Sequence, residues 1–262
     1  MQIMVCLKKI LDPEVPPRDF RLKKGEMAPA TEGIPLVMSS FDQNALEVGL
    51  QLREKLAGAT VTAVTVGPED SEDVLRKALA VKADRAVRVP LEQDSKLAGG
   101  IVAGLLAGAA KQLGADLVIC GRQAGDWDGS QVGLILTEAL GWPLVNLVMG
   151  IEPGSSGLVL RRELDEGYEV IEGNSPLVAV VTNHETNVLR IAKVKDTMAA
   201  MRKKIELFDV VDSAAVELQG GRIELVSLEI PVKEANCEMI TGENGGEKAD
   251  NLVKRLLELK VL

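Results

Sequence analysis

Residues 116–133, DLVICGRQAGDWDGSQVG, carry the clearest potential for binding chemistry in this chain. Residues 116–120 form a short apolar run rich in branched side chains, which is typical of a strand buried on both faces. Gly121 ends that run, a polar loop follows, and from Ser130 the apolar residues recur at helical spacing. Such a loop between a strand and a helix is where an open α/β sheet binds ligands, because unpaired N–H groups at a helix start attract anions. The pattern indicates an anion or nucleotide site, with a loop that only caps its helix as the alternative.

Other common catalytic motifs are absent from the sequence. There is no GxGxxG after the first predicted strand and no GxxxxGK[ST] anywhere. A serine nucleophile needs a base, and His184 is the only histidine. Glu163, Asp165 and Glu166 could take part in acid–base chemistry, but their place in a tight hairpin favours solvated turn residues. These residues alone indicate no class of enzyme.

Composition excludes several kinds of partner. A net charge of −9 argues against nucleic acid, because phosphate contacts need clustered Lys and Arg. The cysteines at 6, 120 and 237 are far apart and form no CxxC pair, which argues against a disulfide framework and a zinc site. Residues 97–110 are strongly apolar but too few to span a bilayer, and they indicate a buried helix. Residue 1 leads directly into a strand pattern without a signal peptide, so we expect a cytoplasmic protein with no direct membrane insertion.

Strand and helix patterns alternate over residues 1–150, and this order positions the polar loop. Strands are predicted at residues 1–7, 60–66, 85–89, 116–120 and 143–149, and helices at residues 40–57, 69–83, 95–113 and from 130 onward. Such alternation implies parallel strands joined by right-handed helical crossovers. We therefore predict a doubly wound α/β domain with the loop at the carboxyl ends of its strands.

The pattern changes after residue 150. Short strands at 158–162, 168–172 and 177–182, separated by turn residues, predict antiparallel hairpins at the edge of the sheet. From residue 206 no continuous core pattern occurs until a helix predicted at 249–259. Such a tail cannot bury enough apolar surface to be stable alone, so we expect it to lie on its own domain or on a partner.

Residues 161–182, RRELDEGYEVIEGNSPLVAVVT, resemble the signature of the electron transfer flavoprotein β-subunit family. The basic residue, the acids and glycine of the turn, the following acid and the proline of that signature correspond to Arg162, Asp165, Glu166, Gly167, Glu169 and Pro176. Five further blocks resemble the family in the same order: VCLKKILD at 5–12, MSSFDQNALE at 38–47, VTVGPED at 64–70, CGRQAGDWDGSQVG at 120–133 and RIAKVKDTMAAMRKKI at 190–205. The resemblance therefore covers nearly the whole chain.

This resemblance implies a Rossmann-like doubly wound parallel sheet of the adenine nucleotide α-hydrolase type, with an antiparallel edge hairpin and an extended C-terminal arm. The nucleotide-binding domain would span residues 1–205, including edge strands at 158–182 and a partner-recognition segment at 184–205. Residues 206–262 would form an arm and helix that pack on an α subunit.

The resemblance also implies a function. In this family the α subunit carries the electron-transferring FAD, and most β subunits bury a structural AMP. The implied heterodimer would shuttle electrons from acyl-CoA-type dehydrogenases to the membrane's ETF:quinone oxidoreductase, and the β subunit would perform no catalysis itself.

By position, the resemblance implies nucleotide contacts in four groups of residues. They are Cys6; Ser39, Ser40, Phe41 and Asp42; Thr65 and Val66; and Gly121, Arg122, Gln123, Ala124, Gly125, Asp126, Asp128, Gly129, Ser130, Gln131 and Val132. Backbone N–H groups at 129–131 would hold the phosphate, Gln123 and Asp126 would bond to ribose or to water on the phosphate, and Cys6 and Val66 would line the adenine slot. Core packing of Cys6 and Val66, and helix capping by Asp126, are the alternatives.

Partner recognition is implied for a second set of residues. Arg190, Lys193, Val194 and Lys195 would recognise partner dehydrogenases, with Val194 entering an apolar pocket. Many members have leucine followed by proline at 194–195, so this difference leaves the identity of the partner open. Pro13 also replaces an aromatic residue that some members direct toward the α-subunit flavin.

Two alternatives remain open. In electron-bifurcating members a second FAD replaces AMP and electrons come from NADH; the QVG at 131–133 resembles those members, whereas the bulk of Trp127 favours AMP, which we expect. An alternative of another class is an ATP-utilising or stress-type nucleotide-binding protein. That class would need a phosphate loop such as SGGxDS after the first strand, and residues 8–17 contain none.

Overall fold

The computed structural model describes residues 1–91, 99–209, 226–231 and 237–262. The chain divides into two units, Met1–Leu228 and Glu229–Leu262. Within the described ranges, no helix is long and apolar enough to cross a membrane.

The described residues of the first unit build a nine-stranded sheet, a two-stranded sheet and five α-helices. The large sheet contains β1 (Gln2–Cys6), β4 (Thr60–Gly67), β5 (Arg85–Pro90), β6 (Leu117–Gly121), β7 (Leu144–Pro153), β8 (Leu158–Glu163), β9 (Tyr168–Gly173), β10 (Leu177–Val181) and β11 (Glu206–Leu207). The small sheet pairs β2 (Lys9–Leu11) with β3 (Leu36–Met38). The helices are α1 (Ser40–Lys55), α2 (Glu72–Ala80), α3 (Gly99–Leu113), α4 (Val132–Leu140) and α5 (Val194–Ala200).

The large sheet confirms the predicted Rossmann-like α/β class. Its spatial order is β11-β5-β4-β1-β6-β10-β7-β8-β9, and every pair from β11 to β7 is parallel. Alternate residues of β1 face opposite layers: Ile3 and Val5 join a core that includes residues of α1 and α2, whereas Met4 and Cys6 join one that includes residues of α3 and α4. The carboxyl ends of β1, β4 and β6 therefore meet between two helical layers.

The prediction that residues 177–182 form an antiparallel edge strand was wrong. β8 and β9 are an antiparallel hairpin at the edge, but β10 lies between β6 and β7 and is parallel to both. All five residues of β10 are buried, because the strand is covered on both faces. The spacing of turn residues suggested a third hairpin strand. The continuous apolar run LVAVV is instead typical of a parallel strand buried on both faces.

Several element boundaries also differ from the predictions. β2 and β3 were not predicted, and α4 begins at Val132 rather than at Ser130. Residues 95–98 of the third predicted helix lie outside the described residues, and α3 accounts for the rest. β7 continues to Pro153, and it is irregular at Leu147, which has a φ of 53°, and between Val148 and Gly150. β11 places residues 206–207 in the main sheet, beside β5.

The second unit contains the last helix, α6 (Gly245–Glu258). The Asn244 side chain caps it by accepting a hydrogen bond from the Glu247 N–H at 3.0 Å. Arg255 forms ion pairs with Glu238 and Glu258 on the same unit. No residue of α6 is buried.

Candidate nucleotide-binding site

The carboxyl end of β6 and the start of α1 approach each other closely at Gly121. A Cβ atom on Gly121 would lie 2.7 Å from the carbonyl carbon of Phe41 and 2.8 Å from the backbone nitrogen of Asp42, and it would also collide with the Asp42 carboxylate. Any side chain at this position would push β6 and α1 apart. Glycine is therefore required for the contact that brings two of the predicted groups together.

Asp42 joins the ends of β1 and β6. Its Oδ2 accepts a hydrogen bond from the Lys8 N–H at 2.8 Å, and the Gly121 N–H also donates to its carboxylate. The side chain is buried, and this burial raises the pKa of Asp42 from 3.8 to about 7, although the two N–H donors and the Lys8 charge oppose the rise. Asp42 thus acts as a buried acceptor that fixes the edge of the site.

Ser39 and Thr65 are buried and also bond to neighbouring backbone. The Ser39 N–H donates to the Lys8 carbonyl oxygen at 3.0 Å, and its hydroxyl donates to the Gln123 carbonyl oxygen at 3.3 Å. The Thr65 hydroxyl donates to the Leu7 carbonyl oxygen at 2.8 Å. These hydroxyls hold the loops that follow β1 and β6 in place.

Cys6 and Cys120 lie side by side at the ends of adjacent strands. Both are free and buried, and they belong to the core on the α3 and α4 side of the sheet. A hydrogen bond with Cys120, together with burial, raises the pKa of the Cys6 thiol. Val66 is partly buried against the same core, so core packing accounts for Cys6 and Val66 without a ligand.

The loop at 122–131 is shaped largely by Gln123. Its Nε2 donates to the Asp128 carboxylate at 2.8 Å, and its Oε1 accepts a hydrogen bond from the Ser130 hydroxyl at 3.3 Å. The carbonyl oxygen of Ala124 accepts the Asp128 N–H at 2.9 Å. Asp128 and Ser130 have φ angles of 48° and 50°, so the chain turns twice through the left-handed region before α4.

Beyond this turn, the loop and the start of α4 leave space. Nothing lies within 4 Å of the position that a Cβ on Gly129 would occupy. Gln131 occupies the N-cap position of α4 and makes no side-chain capping bond, so the first N–H groups of the helix are not satisfied by that side chain. A Cβ on Gly99 would lie 3.5 Å from Val132 and 3.6 Å from Gln131, which places the start of α3 beside the start of α4.

Lys8 belongs to the site although the sequence reasoning did not select it. Its Nζ donates to both oxygens of the Asp126 carboxylate, at 2.8 and 2.7 Å, and so links the loops after β1 and β6. The Asp126 carboxylate is paired with Lys8 and does not cap α4. The position of Lys8 directly after a buried strand was the signal that could have identified it.

Phe41 and Arg122 add a contact between the start of α1 and the loop after β6. The Arg122 guanidinium lies over the Phe41 ring, 5.5 Å from its centroid. The Arg122 N–H donates to the Val181 carbonyl oxygen at 2.8 Å, which ties the loop to β10. Within the described residues, no group of three or more His, Cys, Asp or Glu side chains could hold a metal ion.

The sequence of this chain matches a known family. The model of the electron transfer flavoprotein domain matches residues 27–213. The electron transfer flavoprotein subunit beta of Thermoanaerobacterium thermosaccharolyticum is 34% identical over 264 residues, covering 98% of both chains. The chain belongs to the electron transfer flavoprotein β-subunit family. The human subunit beta is 30% identical over 261 residues, covering 99% of this chain and 98% of its own. The caffeyl-CoA reductase-Etf complex subunit CarD of Acetobacterium woodii is 32% identical over 270 residues, covering 100% of both chains.

The residues predicted for partner recognition, Arg190, Lys193, Val194 and Lys195, lie in and just before α5. Lys193 is the N-cap of α5 and Val194 is its first residue, so the expected recognition loop is partly helical. The Val194 side chain is exposed. Arg190 instead turns inward and forms ion pairs with Glu47 and Glu54 of α1.

Proposed function

We propose that this chain is the β subunit of a heterodimeric electron transfer flavoprotein in the cytoplasm and binds AMP where β1, β4 and β6 meet α1 and α4. With an FAD-carrying α subunit, it would move electrons from acyl-CoA-type dehydrogenases to the membrane's ETF:quinone oxidoreductase. The observation that carries the proposal is the pre-formed loop at 121–132. Its side chains bond to one another, while Gly129 and the start of α4 remain accessible.

The start of α4 suits the phosphate of a nucleoside monophosphate. Phosphate would bind to N–H groups at the start of α4, which the helix dipole favours. Lys8 supplies a cation next to this loop, where it pairs with Asp126. The adenine would lie against Cys6 and Val66, which border the apolar core on the α3 and α4 side of the sheet.

An apolar surface supports docking of a partner dehydrogenase. We call it the docking stripe; it consists of Val188, Ile191, Val194, Met198 and Met201. These side chains are 60–95% exposed. Val194, Met198 and Met201 follow helical spacing and therefore share one face. The same segment also carries five basic residues in a chain whose net charge is −9: Lys193, Lys195, Arg202, Lys203 and Lys204. The matching partner surface would be an apolar pocket with an acidic rim, and binding would weaken as salt rises.

The second unit supports association with the α subunit. α6 exposes Leu252, Val253 and Leu257, and it buries none of its residues. An amphipathic helix without a covered apolar face is typical of a segment that packs on another chain. We propose that, within the predicted arm, residues 229–262 pack on the α subunit.

Co-expression with the α subunit tests this function. We expect a yellow heterodimer that releases AMP on denaturation, identified by chromatography against standards. Hydrolysis of ATP by the chain alone would favour the ATP-utilising alternative. A colourless chain that binds no α subunit would contradict the proposal.

A further inference from the structure

One polar row on α1 holds the chain that leads into the docking stripe. Asn44, Glu47, Gln51 and Glu54 are spaced three or four residues apart, so they lie on one side of the helix. The Asn44 side-chain oxygen accepts the His184 N–H at 3.0 Å, and the Gln51 amide donates to the Thr186 carbonyl oxygen at 3.0 Å. Glu47 and Glu54 form ion pairs with Arg190, four residues after Thr186.

Arg190 makes the densest set of contacts in this row. Its backbone N–H donates to Glu47 Oε2 at 3.1 Å, and its Nη2 donates to Glu47 Oε1 at 2.8 Å. Its Nη1 pairs with the Glu54 carboxylate. Glu47 is buried, and hydrogen bonds to Arg190 lower its pKa in spite of burial. A buried carboxylate with this many bonds to one arginine fixes both the guanidinium and the backbone of that residue.

The other end of the segment is fastened to α2. The Arg76 Nη1 donates to the Ala200 carbonyl oxygen at 2.9 Å and also to the Lys203 carbonyl oxygen. Asp196 forms an ion pair with Lys82, which follows α2. Polar contacts therefore hold both ends of the stripe, and none of them uses its apolar side chains.

These polar contacts explain why the apolar residue Ile191 remains exposed to water. Ile191 is next to Arg190 in sequence and is 95% exposed, although collapse onto the domain would remove its side chain from water. With the backbone of Arg190 held by Glu47, the adjacent Ile191 stays in solvent. We infer that Arg190 and Glu47 are positioning residues that keep the docking stripe open for the partner dehydrogenase; this inference rests on the proposed function.

The first test measures amide hydrogen exchange in the purified αβ heterodimer. In Arg190→Gln, exchange in peptides covering residues 186–200 should rise about tenfold or more, which corresponds to losing one hydrogen bond to a charged group. Arg190→Lys keeps the charge but lacks the planar fork, and should fall between this variant and the unsubstituted protein. Arg202→Gln, an exposed arginine near the end of the same segment, should leave exchange at 186–200 unchanged. Unchanged exchange in Arg190→Gln would overturn the inference.

The second test measures electron transfer from a purified acyl-CoA dehydrogenase supplied with its acyl-CoA. We expect Arg190→Gln to raise KM for the heterodimer with kcat and flavin content unchanged, and Arg190→Lys to restore much of the loss. A fall in kcat with constant KM would overturn a positioning role in docking. If the unsubstituted heterodimer accepts electrons from no such dehydrogenase, the proposed function fails, and the exchange experiment alone then decides whether Arg190 and Glu47 hold the segment.

Discussion

At the scale of single residues, three side chains of the candidate site bond to the backbone of distant segments. Ser39, Asp42 and Thr65 each satisfy a backbone group at a strand end. Their contacts explain why residues of these types occur there even before a nucleotide is considered. The sequence could place these residues at the strand ends, but it could not show which partner each side chain would choose, because those partners are up to 84 residues away in the chain.

The raised pKa of Asp42 predicts a pH dependence of stability. The pKa is about 7 in the folded chain and 3.8 in the reference state, so the unfolded chain loses this proton at lower pH than the folded chain does. Stability should therefore fall as pH rises from about 4 to about 7, by up to about 4 kcal/mol from this residue. In Asp42→Asn this contribution disappears, and the difference in unfolding free energy between the two proteins should change across that range. Parallel stability curves from urea titrations at pH 4.5 and 7.5 would contradict the assignment.

Gly129 offers a direct test of the phosphate site. No protein atom lies within 4 Å of the position that a Cβ would take there, so we expect the fold to tolerate a valine. A side chain would nevertheless block close approach of phosphate to the backbone, and AMP content per heterodimer should fall at least about tenfold, as expected when a close polar contact is lost. Gly150→Val, at another position with free space, is the matched control and should retain AMP. Full AMP content in Gly129→Val would remove the proposed phosphate position.

At the scale of elements, strands with unbroken apolar runs and helices with clear periodicity were predictable, and short or context-dependent elements were not. β6 and α1 follow from local pattern alone. β10 has the pattern of a buried parallel strand, yet its position between β6 and β7 depends on strand pairing across 60 residues, from Leu117 to Leu177. β2 and β3 are three residues each, too short for a periodic signal. α5 has only seven residues, and a hydrogen bond from Arg76 of α2 to its last residue, Ala200, helps to hold it. The local sequence alone did not predict this helix.

The exposed face of α6 gives a prediction at this scale. Replacing Leu252 and Leu257 with aspartate should weaken binding of the α subunit by at least about tenfold, because each buried leucine contributes roughly 1.5–3 kcal/mol. Lys248→Ala together with Lys254→Ala, on the same helix, keeps the apolar residues and is the control. Titration calorimetry or analytical ultracentrifugation would measure the change. Equal affinities for the leucine variant and the unsubstituted chain would show that α6 packs elsewhere.

At the scale of the whole molecule, the site and the docking stripe are connected through α1. Ser39 and Asp42 at its start contact the loops after β1 and β6, and Glu47 and Glu54 farther along hold Arg190. A bound nucleotide would stabilise the same loops that position the beginning of this helix. Under the proposed function, this connection would give the bound AMP a structural role, since it would hold the scaffold that carries the docking stripe.

The number of flavins per heterodimer follows from the same architecture. Trp127 lies in the loop at the mouth of the site and is 60% exposed, and Lys8 and Asp126 join the two loops beside it. A second FAD would need room for its ribityl chain and isoalloxazine ring beyond the phosphate, and the bulk of Trp127 disfavours it. We therefore expect one flavin per αβ pair, measured by absorbance of the denatured heterodimer against its protein concentration, with AMP present in equal amount. Two flavins and no AMP would overturn this expectation and favour the bifurcating alternative.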